Sequence, residues 1–344
     1  AVGTGAKTTA SDASTAIGKG AFVSQSTDAL AIGSRAAVGA SSNDAMALGK
    51  EATVGSGAAD SIAVGTSAKT ISADTIAIGQ NASATGANSV VIGKEATTTS
   101  EGGNAIGLSS TASGNSTAIG QSATANNYNA VAIGNGATAN ADRSIALGFK
   151  AGVGTREGKG ETQNAGSLIA IGTSAGNYVS GIQNVAIGES AGSNVKSSFN
   201  VAIGSQAGYG INYASDNKSQ NGYNVSIGYK ANFQENSADI MYSTALGNEA
   251  NASNYAVAIG DKAKASGTNS LALGYSAKAS DAESMALGHN ASAADGNVAI
   301  GNGSLAPAVS SLGTVQDGYV YQSTTSTDST GATTTTLTEL KSAF

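Results

Sequence analysis

The sequence predicts an all-β chain wound as a parallel solenoid, and three observations lead there. A three-residue step that ends in an aliphatic residue and Gly, opened by Ala in 18 of its copies, recurs 20 times at short spacing. The side chains are small: 47 Gly, 1 Pro, no Trp, no Cys, 5% aromatic and 12% charged residues, against roughly 25% charged in ordinary soluble chains. Short segments of alternating character flank each tripeptide, the mark of brief strands and not of helices. A fixed period of this length belongs to a stack of equivalent coils, and small side chains suit thin layers.

Taking the tripeptide glycine as position 0, successive glycines from Gly65 to Gly148 stand 13 or 14 residues apart, as they do from Gly247 to Gly301. Elsewhere the step is 15 or 16, with three longer steps of 24, 24 and 19. Position −1 is Val, Ile or Leu in all 20 copies, while −2 and +3 are each Ala in 18. Positions −3 and −1 lie on one face of a strand and −2 on the other. A second strand follows the glycine, with +3 and +5 on one face and +4 on the other, as in Asp261-Lys262-Ala263-Lys264-Ala265. Each coil of about 14 residues then holds two strands and two turns. Glycine at 0 serves the first turn, where φ is positive at no steric cost. Stacked at ~4.8 Å, the coils make a rod on the order of 95 Å long.

This pattern carries an expectation about inside and outside. The bulky −3 and −1 residues are expected to fill the roll opposite the small +3 and +5 alanines. Position +4, often Lys or Thr, reads as solvated. Position −2 then faces outward as an alanine strip, with no second layer in the chain to cover it. Ala31, Ala47, Ala63, Ala77, Ala132, Ala146, Ala258 and Ala272 are on this reading contacts between copies of the chain, and three thin rolls around one axis are a natural solution.

Chemistry is thin. Without Cys there is no disulfide, thiolate or Cys-based metal site. One His makes neither a catalytic triad nor a zinc site. The scattered carboxylates fall at turns and lack the GGxGxDxUx spacing of calcium β-rolls. No cofactor, metal or catalytic residue is therefore expected, and the chain reads as non-enzymatic. The net charge of −6 disfavours nucleic acid. No 18-residue apolar run is present, so no direct membrane insertion is expected. No basic n-region precedes the mid-motif start at Ala1, so any signal peptide is expected to have been removed already.

The recurrent run, as in Ser61-Ile62-Ala63-Val64-Gly65-Thr66-Ser67-Ala68 and Asn200-Val201-Ala202-Ile203-Gly204-Ser205-Gln206-Ala207, resembles the YadA-like head repeats of trimeric autotransporter adhesins. The resemblance spans 1–306. It implies a left-handed parallel β-roll, a homotrimeric rod, anchoring of the full protein in a Gram-negative outer membrane, and attachment to host matrix proteins or cell-surface receptors. The stalk and barrel of whole family members are not visible in this chain, which reads as a head fragment.

The long steps are expected to extrude loops, near 152–166, 209–222 and 232–242, because solenoids place insertions on their surface and loops carry function. Nine of the 16 aromatic residues lie between Phe149 and Tyr242. Tyr178, Tyr209, Tyr213, Tyr223, Phe233 and Tyr242 are accordingly the candidate ligand contacts; filling the gaps of wider coils is the competing role. The Ser/Thr-rich segment 307–344 reads as a hairpin or a neck, with Leu337-Thr338-Glu339-Leu340 as a helix start. The rival to an adhesin head is a structural spacer of a surface or phage fibre with no ligand of its own. A hexapeptide-type acyltransferase would need longer coils and a catalytic His, and ice binding would need a regular paired Thr array.

Overall fold

The computed structural model describes residues 1–152, 167–212, 222–234, 238–307, 321–327 and 333–339. They form a parallel β-solenoid, and no helix occurs among them. The three residues before each repeat glycine make the first strand of a coil. Nineteen such strands, from Thr15–Ile17 to Val298–Ile300, join one continuous sheet. Each residue pairs with its own equivalent one coil away, as in Val131↔Ile145, Ala132↔Ala146 and Ile133↔Leu147. The second strand, at +4 and +5, makes a ten-stranded sheet from Lys7–Thr9 to Thr138–Ala139. A five-stranded sheet resumes from Asn251–Ala252 to Leu305–Ala306.

The first strand faces the other way from the sequence expectation. Ala31, Ala47, Ala63, Ala77, Ala132, Ala258 and Ala272 are 0% exposed and Ala146 is 2% exposed within a single chain. They point into the roll, against +3 and +5 residues such as Ala68, Ala82, Ala84 and Ala137, which are buried as expected. None of these eight alanines is available as a contact between copies. The aliphatics at −3 and −1 lie outside, half-exposed: Ile78 and Ile133 are 39% and Leu273 is 43% exposed. The physical reason is the thickness of the roll. Two sheets joined by such tight turns leave room for Ala against Ala. Among the largest fully buried side chains, Ile211 alone exceeds valine in size.

Two columns of left-handed backbone turn the chain in every regular coil. One runs through position +2 (Glu51 φ 58°, Asn81 φ 57°, Ser122 φ 55°), the other through −5 (Asp60 φ 54°, Asn129 φ 55°, Asn269 φ 58°). Between them, the repeat glycine is fixed by crowding as well as by torsion. Gly134 has φ 137°, and a Cβ there would stand 2.4 Å from the carbonyl oxygen of Gly148 in the next coil.

Between residues 152 and 234 the coils widen. Glycine replaces the +4 strand residue at Gly152, Gly176, Gly192 and Gly208, with φ between 55° and 66°. This bends the chain before it can form the second strand. A Cβ at Gly176 would come 2.9 Å from the Ala170 Cβ, so the bend also needs a bare backbone. Val179, Val195 and Ile211 then fill the enlarged interior. A buried column of amides lines the same section. Asn200 donates Nδ2 to Asn184 Oδ1 at 2.9 Å, and Asn224 donates Nδ2 to Asn200 Oδ1 at 2.9 Å. The Ser243 hydroxyl donates to Asn224 Oδ1 at 2.7 Å. Paired in this way, the polar groups avoid the ~1–3 kcal/mol that a buried unpaired group costs.

Of the expected loops, 153–166, 213–221 and 235–237 lie outside the described residues. Near the C-terminus, strands Tyr321–Thr327 and Thr333–Glu339 pair antiparallel, with Tyr321 opposite Glu339. Residues 337–339 are thus strand, not the start of a helix.

Candidate functional site

The cavities beside the wide coils measure about 20 Å³ and 10 Å³, room for a water molecule at most. Among the described residues, no group of three His, Cys, Asp or Glu could hold a metal ion, and no helix is long and apolar enough to cross a membrane. His289 stacks on Tyr275 with centroids 5.1 Å apart and sets Nδ1 3.1 Å from Asn302 Oδ1, in an exposed turn. Two features of the outer surface stand out among the described residues.

The first is the aliphatic stripe. Because −3 and −1 both face out, each coil adds one or two Val, Ile, Leu or Met side chains to a band running along the first sheet. None of these −3 and −1 positions is buried from Val2 to Ile300. Contiguous apolar bands beyond a few hundred Å² are rare on monomeric proteins and mark contact surfaces.

The second is a stack of aromatic rings on one edge. The −5 column is Asp, Asn or Gly in every coil from Asp28 to Asn129, as a left-handed turn prefers. In four successive coils it becomes Phe199, Tyr223, Tyr242 and Tyr255, with φ of 61°, 48°, 54° and 57°. Their rings stack in series, with centroids 4.8, 5.1 and 5.0 Å apart and planes within 16° of parallel. Tyr223, Tyr242 and Tyr255 remain 42–49% exposed. Magnitudes argue against a purely stabilising role. A left-handed backbone costs an L-residue about 1–2 kcal/mol, and bulky side chains are rare there. A stacked pair returns about 0.5–1.5 kcal/mol. Three stacked pairs at most roughly balance four strained residues, whereas Asn or Asp would serve the turn at lower cost. Arg143, Ser167, Gln183 and Glu283 take the same turn, so what sets these four apart is the side chain and not the backbone.

The structure divides the sequence-predicted contacts. Tyr223 and Tyr242 come together in this column. Tyr209 and Phe233 form a separate pair 5.2 Å apart, with Lys230 Nζ 5.2 Å from the Phe233 ring centroid. Tyr178 stands apart from both stacks at another left-handed turn, φ 57°. Tyr213 lies outside the described residues. Phe199 and Tyr255 were missed as members of the column. The signal was available: each of the four stands five residues before its repeat glycine.

With fold and surface in view, the comparison with known families is informative. The family model of the YadA head domain repeat, which spans two copies of the unit, matches residues 71–96, 114–137, 125–151, 241–263, 254–277 and 265–291. These are stretches where the glycines stand 13 or 14 residues apart; the wide coils between 152 and 240 are not among them. No curated protein matches the chain. The matched stretches are similar to YadA head domain repeats, and the same coil continues on either side of them in one sheet.

Proposed function

We propose that this chain is the head of a trimeric autotransporter adhesin, displayed outside a bacterial cell and attaching it to host matrix proteins or cell-surface receptors. The observation that carries the reading is the uninterrupted aliphatic stripe on the first sheet. It is too long and too apolar to face water, and nothing else in the described residues covers it. Three rolls meeting along their stripes around one axis bury all three equally, in a closed arrangement in which every copy makes the same contact. The trimer interface thus passes from the buried alanines to side chains such as Ile78, Ile133, Leu246 and Leu273.

Attachment falls to the wide section and the coils just after it, where Tyr178, Tyr223, Tyr229, Tyr242 and Tyr255 are exposed. A trimer presents each such site three times, so weak contacts reinforce one another by avidity. The regular coils between 65 and 148 favour a spacer role for that stretch, because their outer faces hardly vary. Binding of the purified full chain to immobilised collagen, fibronectin and laminin, and to epithelial cells, tests the adhesin reading. Saturable binding on any of these supports it. Absence of binding on all, with the assembly intact, favours a spacer.

A further inference from the structure

The edge column of stacked rings has a shape, a spacing and a setting that specify a ligand class. Parallel rings whose centroids are 4.8–5.1 Å apart touch at roughly 3.5–4.0 Å between carbon atoms. They are therefore slipped like shingles, and each leaves a strip of its face and its outer edge uncovered. Three of the four carry a phenol hydroxyl, which both donates and accepts. Among the described residues, the next members of the column on either side are neutral amides. Gln183 precedes Phe199 in the same left-handed series and Asn269 follows Tyr255, while Asn254 accepts the Met241 N–H at 3.0 Å beside Tyr242. Apolar strips with uncharged hydrogen-bonding groups, as the described residues present them, suit a neutral, hydroxyl-rich ligand with apolar C–H faces.

We propose that Phe199, Tyr223, Tyr242 and Tyr255 form a binding site for an extended neutral oligosaccharide lying along the rod. Pyranose C–H groups carry partial positive charge and meet the strips of negative ring face that the slipped stack leaves uncovered, and the sugar hydroxyls reach the phenols and amides. The repeat favours a glycan over a peptide. One ring per coil gives a contact every 4.8–5.1 Å, close to the advance of one hexose in an extended chain. A β-strand returns a side chain to the same face only every ~6.6–6.8 Å, and a polyproline helix every ~9.3 Å. Either falls out of step with the rings within two coils. The strain of four aromatic residues in left-handed turns is then explained, since Asn or Asp would leave no ring for a sugar. This assignment rests on the adhesin reading by naming what the wide section and the coils just after it take hold of.

The test uses the full chain with cellohexaose, maltohexaose and chitohexaose as probes, followed by saturation-transfer NMR and titration, with the matching disaccharides as controls. At least one hexasaccharide should bind, and its affinity should exceed that of its disaccharide because four rings are spanned. The triple variant Tyr223→Asn, Tyr242→Asn, Tyr255→Asn places in each turn the residue type that Asn88, Asn115 and Asn129 already supply there. It should keep the thermal midpoint of the parent and weaken the sugar about tenfold or more. Failure of all three sugars overturns the proposal, as does equal affinity for hexa- and disaccharide. Undiminished binding by a folded triple variant also overturns it. Adherence to matrix-coated surfaces, measured on the same proteins, separates this from the adhesin reading. If parent and variant adhere alike and neither takes a sugar, the glycan site falls and the adhesin reading stands. A parent that takes a sugar through these rings yet adheres to nothing keeps the site and removes the adhesin reading.

Discussion

Gly134 and Gly57 both hold positive φ, 137° and 77°, yet their surroundings differ. A Cβ at Gly134 meets the Gly148 carbonyl at 2.4 Å, while one at Gly57 meets nothing within 4 Å. Gly57→Ala should cost only its torsional strain, about 1–2 kcal/mol. Gly134→Ala adds a backbone clash that no side-chain rotation relieves, and should cost about 3 kcal/mol or more. Chemical denaturation of the two variants checks the difference, and equal losses would show that crowding between coils is not what holds the repeat glycine. The glycine's role was legible because it recurs at one position. Its second cause, the carbonyl of the next coil, was not, because a sequence shows torsional need but not how closely coils stack.

Among elements, the alternation of each strand was legible and its direction was not. A period of two says that −2 opposes −3 and −1; it does not say which side is inside. Bulk suggested that the aliphatics were inside, the usual rule for a core. The thin roll overrides it, since interior walls this close admit Ala but not Leu, and the bulky residues are left to another surface. The wide section was legible as long glycine spacings, but not the left-handed glycines at +4, the valines behind them or the amide column. That column yields an element-scale prediction. Asn200→Ala removes the acceptor of the Asn224 N–H and Nδ2 and the donor to Ser197, and should destabilise the chain by about 2–3 kcal/mol in urea unfolding. A change below 0.5 kcal/mol would mean that water replaces the lost partners without cost. The ring stack was half legible. Composition pointed to the stretch that holds three of its four members, but rings meet by register, so Phe199 and Tyr255 emerge as members only once each coil is aligned on its glycine.

At the scale of the molecule, everything turns on what covers the aliphatic stripe. A solenoid buries neighbouring coils against one another and so leaves its flank to be dealt with separately. Ile133→Lys combined with Leu273→Lys places charge on two well-separated parts of the stripe, where each parent side chain is about two-fifths exposed. In an isolated chain, surface changes of this kind shift stability by about 0.5 kcal/mol or less. Inside a packed interface they would leave unpaired buried charge. The double variant should therefore lose assembly while keeping its β-sheet circular dichroism, and a variant that assembles like the parent would place the interface elsewhere. The most direct test is sedimentation equilibrium of the unaltered chain over a range of concentrations. The account predicts a single species at three times the 33.1 kDa chain mass; a stable monomer with its stripe in water would contradict it.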